Sequence, residues 1–207
     1  MAIDDELRAY LLESLDVHVR SGYGGEDDIL ESFEEQVRDE LRDHPQAEID
    51  AAVTRWLADM QRAIDEQRAR EKTWTGRTHN DRIDTAFRRL TSRRIVALQD
   101  AGYTMSDGWS DVHEARGEVD GAWGAVFFHR QDVERGVHDE GLMLAFGAFV
   151  DGDRHEPESL RLARTVCEVL EAQRVATEWD GTLNSRISIP PFEWKKRRWT
   201  TPGRTAG

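Results

Sequence analysis

Chemically capable side chains are densest in His129-Arg130-Gln131-Asp132-Val133-Glu134, followed by His138-Asp139. The stretch begins where the apolar run Ala122 to Phe128 ends. Side chains at a strand end, where the chain enters a loop, are common carriers of function. An imidazole and a carboxylate three residues apart can trade a proton, or hold a metal ion if further ligands converge. Asp107, Asp180 and Arg186 also fall at expected turns or strand ends, so Asp107, His129, Asp132, Asp180 and Arg186 make up a candidate polar cluster, with Trp109 and Gln131 beside them. The plainer alternative is that Asp-Gly pairs set turn geometry and His129 caps a neighbouring turn.

Other chemistries find less support. None of the seven histidines has His-Glu-x-x-His spacing, which would put two imidazoles on one helical face, so no metal site is expected. Cys167, the single thiol, falls on the apolar period of an expected helix between Val166 and Leu170, where a thiol packs as a small hydrophobe. There is no Gly-x-Ser-x-Gly elbow. The Gly22 to Gly25 cluster runs into three carboxylates and lacks the lysine of a phosphate loop, so it reads as a helix connector. No cofactor is expected. Two basic clusters remain, Arg88-Arg89 with Arg93-Arg94, and Trp194-Lys195-Lys196-Arg197-Arg198-Trp199. Interleaved aromatic and cationic groups can stack on bases and follow phosphates. The simpler reading has the tail folding onto acidic surface or staying solvated.

The elements that must position these groups follow from periodicity. Ile3, Leu7, Tyr10, Leu11, Leu15 and Val19 recur at helical steps, and Gly22 ends that pattern. Glu26, Asp27 and Asp28 suit the first turn of a second helix carrying Ile29, Phe33, Val37 and Leu41. Pro45 suits the start of a third, with Ile49, Val53, Trp56, Leu57, Met60 and Ile64 as its stripe. A linker at 71–80 precedes a fourth helix through Ile83, Ala86, Phe87 and Leu90. Ile95 to Gln99 is read as a strand, with continuation of the helix as the alternative. Beyond Gly102 the pattern turns to strands and turns. Four Asp-Gly pairs suggest tight reversals, and Ala122 to His129, Leu142 to Val150, Val175 to Trp179 and Arg186 to Ile189 read as strands. Helices are expected near Gln131 to Val137 and from Glu158 to Ala172. The expected fold is α+β: an acidic helical subdomain at 1–72, a domain at 79–198 with helices on a mainly antiparallel sheet, ferredoxin-like as one option, and a flexible tail at 199–207.

Several stretches resemble an uncharacterised family of bacterial cytoplasmic proteins defined only as a domain of unknown function. They are Ile95 to Thr104 with Ser106-Asp107-Gly108, Phe127-Phe128-His129-Arg130-Gln131-Asp132, Leu144-Ala145-Phe146-Gly147, Trp179-Asp180-Gly181-Thr182 with Arg186-Ile187, and Trp194 to Arg198. The resemblance covers roughly residues 74 to 198, with the Gly22-Tyr23 region and the second helix as further candidate stretches. It implies no activity.

Charge bounds the partners. The 207 residues carry a formal net charge of -13, and residues 1–71 alone hold 20 acidic residues against 8 arginines. Such a body repels phosphate backbones, so nucleic-acid binding is not expected. The longest apolar run, Gly141 to Val150, falls short of the ~20 residues of a membrane helix, and no membrane association is expected. An acidic opening without an apolar core, and one cysteine, set the expectation of a soluble protein in the cytoplasm. The expected function is a non-enzymatic interaction module, inhibitor- or immunity-like, that meets a basic protein partner through acidic surface. The alternative is an enzyme or metal-dependent hydrolase around His129 and Asp132, helped by Asp107 and Asp180.

Overall fold

The computed structural model describes residues 5–202, without the side chains of Asp5, Glu6 and Arg8. Ile3, the first residue of the expected helical stripe, lies outside the described residues. Two compact units are formed, one from the stretch up to Gly76 together with the stretch from Lys195, the other from Arg77–Trp194.

In the first unit, α1 (Asp5–Ser21), α2 (Glu26–Glu40) and α3 (Gln46–Lys72) turn their apolar stripes inward. Leu11, Leu15, Phe33, Val37, Trp56, Met60 and Ile64 meet in one core. Burying a side chain of this kind contributes roughly 1.5–3 kcal/mol, which short isolated helices need to persist. The Asp28 carboxylate accepts the Gly25 N–H at 2.7 Å, one of the donors that a helix start leaves over. Gly22 holds a left-handed φ of 79°, and a Cβ there would lie 2.3 Å from the Lys196 side chain, so only glycine fits the reversal after α1.

The second unit runs α4 (His79–Ser92), β1 (Ile95–Gln99), α5 (Met105–Ala115), β2 (Gly124–Phe128), α6 (Arg130–Val137), β3 (Leu142–Ala148), α7 (His155–Glu171) and β4 (Ile187–Ile189). The strands lie in the order β1-β2-β3-β4. β1 pairs parallel to β2, with α5 as the crossover, while β2–β3 and β3–β4 are antiparallel. All five β2 residues are buried, because both faces of the sheet are covered. On one face α4 sets Phe87 edge-on to Phe128 with ring centroids 5.5 Å apart, and α7 brings Leu162 over Gly124. On the other, α5 sets Trp109 edge-on to Phe127 and over Gly147. A Cβ on Gly108 would lie 2.3 Å from the Phe127 ring, so the missing side chain lets α5 reach the sheet.

The α+β class stands, with two of the three strand pairings antiparallel. Several local expectations do not. Asp107-Gly108 is no hairpin turn; it lies inside α5, where Thr104 and Asp107 form a reciprocal cap. Asp120-Gly121 and Asp151-Gly152 lead into β2 and towards α7 rather than joining paired strands. Val175 to Trp179 contributes a single bridge, Glu178 to Ser188. Neighbouring strands are consecutive in sequence, so no strand is inserted between the parallel pair as a ferredoxin-like fold requires. The closing segment also differs: Lys195 onward belongs with the helices, and Trp199 packs on their core, whereas the sequence assigned 195–198 to the sheet domain and 199–207 to a flexible tail. Residues 203–207 of that tail lie outside the described residues.

Candidate functional site

His129, Asp132 and Arg186 come together. His129 is the residue before the first turn of α6 and Asp132 is the third within it, so the carboxylate turns back and accepts the His129 backbone N–H at 3.3 Å. Arg186, just ahead of β4, brings Nη1 to 3.1 Å from both Asp132 oxygens and to 3.4 Å from His129 Nε2. Facing a guanidinium N–H, Nε2 is the acceptor, so the proton of a neutral ring sits on Nδ1. Nδ1 lies 3.2 Å from Asp132 Oδ2, but out of line for a hydrogen bond. His129 and Asp132 are 6 % and 1 % exposed. Burial pushes the Asp132 carboxyl up, against the pull of Arg186 and His129. Both ring nitrogens and both carboxylate oxygens thus face groups of the protein itself. A general base must present its lone pair to a substrate proton, and this imidazole presents none outward. The cluster is built as a bridge tying the start of α6 to β4.

Asp107 and Asp180 do not join it. Asp107 is exposed and accepts the Thr104 N–H and hydroxyl, each at 2.9 Å; the backbone bond, then the hydroxyl, hold its carboxyl below the usual range. Asp180 closes its own loop through the Ser185 hydroxyl and the Thr182 N–H and hydroxyl, and these bonds, Ser185 first, lower it likewise. Among the described residues no group of three His, Cys, Asp or Glu side chains is placed to hold a metal ion. Trp109 packs in the core and Gln131 is exposed. Burial pushes the half-buried Cys167 thiol up, away from the reactive thiolate.

The basic tail is engaged within its own unit. Arg198 donates through Nη1 to the Val19 carbonyl and through Nη2 to the His18 and Tyr23 carbonyls, at 3.1, 2.9 and 2.7 Å, which fills the acceptors left at the end of α1. Arg197 donates to the Trp74 and Gly76 carbonyls, and Lys196 lies over the Tyr23 ring. Glu71, 1 % exposed, accepts the backbone N–H groups of Arg198, Trp199 and Thr200 and the Thr200 hydroxyl. The sequence reading missed Glu71, although it stands on the α3 stripe after Met60, Ile64 and Gln67.

A cleft of about 320 Å³ opens between the end of β1 and α5. Leu98, Ala101 and Ala115 line it together with Asp100, Asp111, Glu114 and Glu118. Asp100 pairs with Arg130 at 2.7 Å. Asp111, Glu114 and Glu118 are spaced for one helical face, and among the described residues no cation pairs with them. These acids were also missed; their spacing without an arginine three or four residues away was the readable signal.

Fold and side chains together define an α+β protein whose His-Asp-Arg cluster is turned inward and whose unneutralised carboxylates line an open cleft. The chain belongs to the family described as domain of unknown function DUF6891, whose pattern matches residues 4–198 and so takes in the helical unit as well as the stretch that carried the resemblance. No curated protein and no solved structure matches it. Among the described residues no helix is long and apolar enough to cross a membrane.

Proposed function

We propose that this chain is a non-enzymatic interaction module whose acidic cleft receives a cationic side chain from a protein partner. The observation that carries the reading is that three carboxylates, Asp111, Glu114 and Glu118, line one open cleft beside apolar side chains. Some helical carboxylates elsewhere pair along their own helices, as Asp16 does with Arg20, Glu34 with Arg38 and Glu158 with Arg161. Asp111, Glu114 and Glu118 keep their charge for an outside group. Leu98, Ala101 and Ala115 offer an apolar floor on which the methylene stem of an arginine or lysine can lie while its head meets the carboxylates. Net negative charge speeds the approach of such a partner and disfavours nucleic acid. One cysteine, its thiol held up by burial, suits a reducing compartment, and the cytoplasm is the setting this reading takes. The enzyme alternative gains nothing from the geometry, since the His129 and Asp132 lone pairs point at Arg186 and at the cap. Calorimetry with an arginine-rich peptide tests the reading. Asp111→Asn/Glu114→Gln/Glu118→Gln is expected to weaken binding about tenfold, as three exposed pairs at roughly 0.5 kcal/mol each would give. Equal affinity for the variant and the parent would refute it.

A further inference from the structure

The strand β1 forms one edge of the sheet, paired with β2 on one side and with no strand of its own unit on the other. Outward N–H and C=O groups on such an edge will accept another strand, and proteins commonly guard edges with charge. Here the two ends of one strand carry opposite charge. Arg93 and Arg94 immediately precede β1 and, like Arg88 and Arg89 in the last turns of α4, are exposed. The cleft carboxylates Asp111, Glu114 and Glu118 lie at the other end, beyond Asp100, which Arg130 already pairs. Among the described residues no carboxylate pairs with any of these four arginines, although the arginines of α1, α2 and α7 named above pair along their own helices. Arg94 also holds a left-handed φ of 62° after the end of α4, where glycine is the usual occupant and a Cβ is disfavoured. Arg94 thus holds an unpaired cation at the start of β1, in a backbone conformation that a glycine would adopt with less strain.

We infer that β1 is a self-association edge, on which two copies of this chain pair antiparallel about Ala97, setting Arg93 and Arg94 of each copy beside the acidic cleft of the other. This rests on the cleft being a seat for cations and names a second copy as the source. In that register Val96 of one copy meets Leu98 of the other on the face packed by α5, where both already lie in one apolar cluster, and Ile95 meets Gln99 on the opposite face. A parallel approach brings arginines against arginines, so charge selects the antiparallel pairing. Five residues of strand span only about 16 Å, which places the contact in the small, weak class of interfaces.

Sedimentation equilibrium on the full chain, from about 10 μM to about 1 mM as suits a weak contact, tests the inference. A reversible dimer that loosens as salt rises is expected. Arg93→Glu/Arg94→Glu and Asp111→Arg/Glu114→Arg are each expected to be monomeric, and their equimolar mixture to recover the dimer. Arg94→Gly relieves the strained backbone, so it is expected to raise Tm while weakening association at least threefold, which separates loss of pairing from loss of folding. A monomer at every concentration, a dimer indifferent to all three variants, or a mixture that stays monomeric overturns the inference. Binding of a single-stranded RNA oligonucleotide by the parent, lost in the Arg93→Glu/Arg94→Glu variant while the parent stays monomeric, overturns it also. An arginine-rich peptide that still binds the cleft of Arg93→Glu/Arg94→Glu shows the cation seat intact even where dimerisation fails; a peptide that fails to bind the parent removes both.

Discussion

Removing the Glu71 carboxylate should undo the C-terminal strap of the helical unit. Four hydrogen bonds converge on this buried group, from the backbone N–H groups of Arg198, Trp199 and Thr200 and from the Thr200 hydroxyl. At a net contribution of about 1 kcal/mol each, Glu71→Ala would lose about 4 kcal/mol if the strap stayed docked. The strap need not stay, because its N–H groups regain water by peeling away, so the measured loss is limited by the strap's own docking free energy and should be about 2–4 kcal/mol. Glu71→Gln retains one carbonyl for Trp199 and Thr200 but turns an NH₂ donor towards the Arg198 N–H, so about 2 kcal/mol is expected. For a unit of this size 2 kcal/mol corresponds to a fall in Tm of about 10 °C. Thermal and urea unfolding, followed by far-UV circular dichroism with tryptophan fluorescence reporting on Trp199, measure both variants. Deletion from Lys195 onward sets the ceiling. A Glu71→Ala protein within about 0.5 kcal/mol of the parent would refute the strap as a stabilising element.

Three further outcomes are expected. Burial raises the Asp132 carboxyl above its ordinary 3.8, so folding favours its protonated form; that contribution is fully present below about 3.8 and is lost as pH rises through the folded value. The difference in urea midpoint between the parent and Asp132→Asn should therefore shrink with rising pH, and a difference that grows contradicts the assignment. Burial, with the Arg82 charge beside it, lowers the His79 imidazole from its ordinary 6.5, so its contribution is present above 6.5 and lost as pH falls through the folded value. His79→Phe, which keeps a ring stacked on Phe192 at a 4.2 Å centroid distance, should flatten that loss, and an unchanged pH profile would refute it. Arg94→Gly should stabilise the chain by about 0.5–1 kcal/mol in urea titrations at low protein concentration, and a destabilised variant would show that the left-handed backbone carries no strain.

What could be read in the sequence divides along local and long-range lines. The first helices were legible because one apolar face at the helical step is a local signal, and Ile95 to Gln99 because four apolar residues are bounded by charge. The α5 helix was not: Gly108 and the Asp-Gly pair spoke for a turn, although Thr104 with Asp107 three residues on is a helix-start signature. Gly108 is tolerated there because the helix must approach Phe127 closely, a demand set by the sheet and invisible locally. His129 and Asp132 could be paired from their spacing. That Arg186 closes on them across 54 residues could not, and this closure is what turns a candidate acid–base pair into a bridge. Asp107 and Asp180 were found at chain reversals or element starts, but each is used by its own loop. Glu71 was legible in principle, since a carboxylate on a buried stripe must have partners; nothing in the sequence says that those partners come from residues 198–200.

Whether the cleft between β1 and α5 receives cationic side chains is measured most directly by following backbone amide shifts while an oligo-arginine peptide is added at low salt. The account predicts saturable shifts grouped at residues 98–101 and 111–118, fading as salt is raised, with the amides of His129 and Asp132 unmoved. Shifts centred on His129, Asp132 and Arg186, or none near α5, would contradict it.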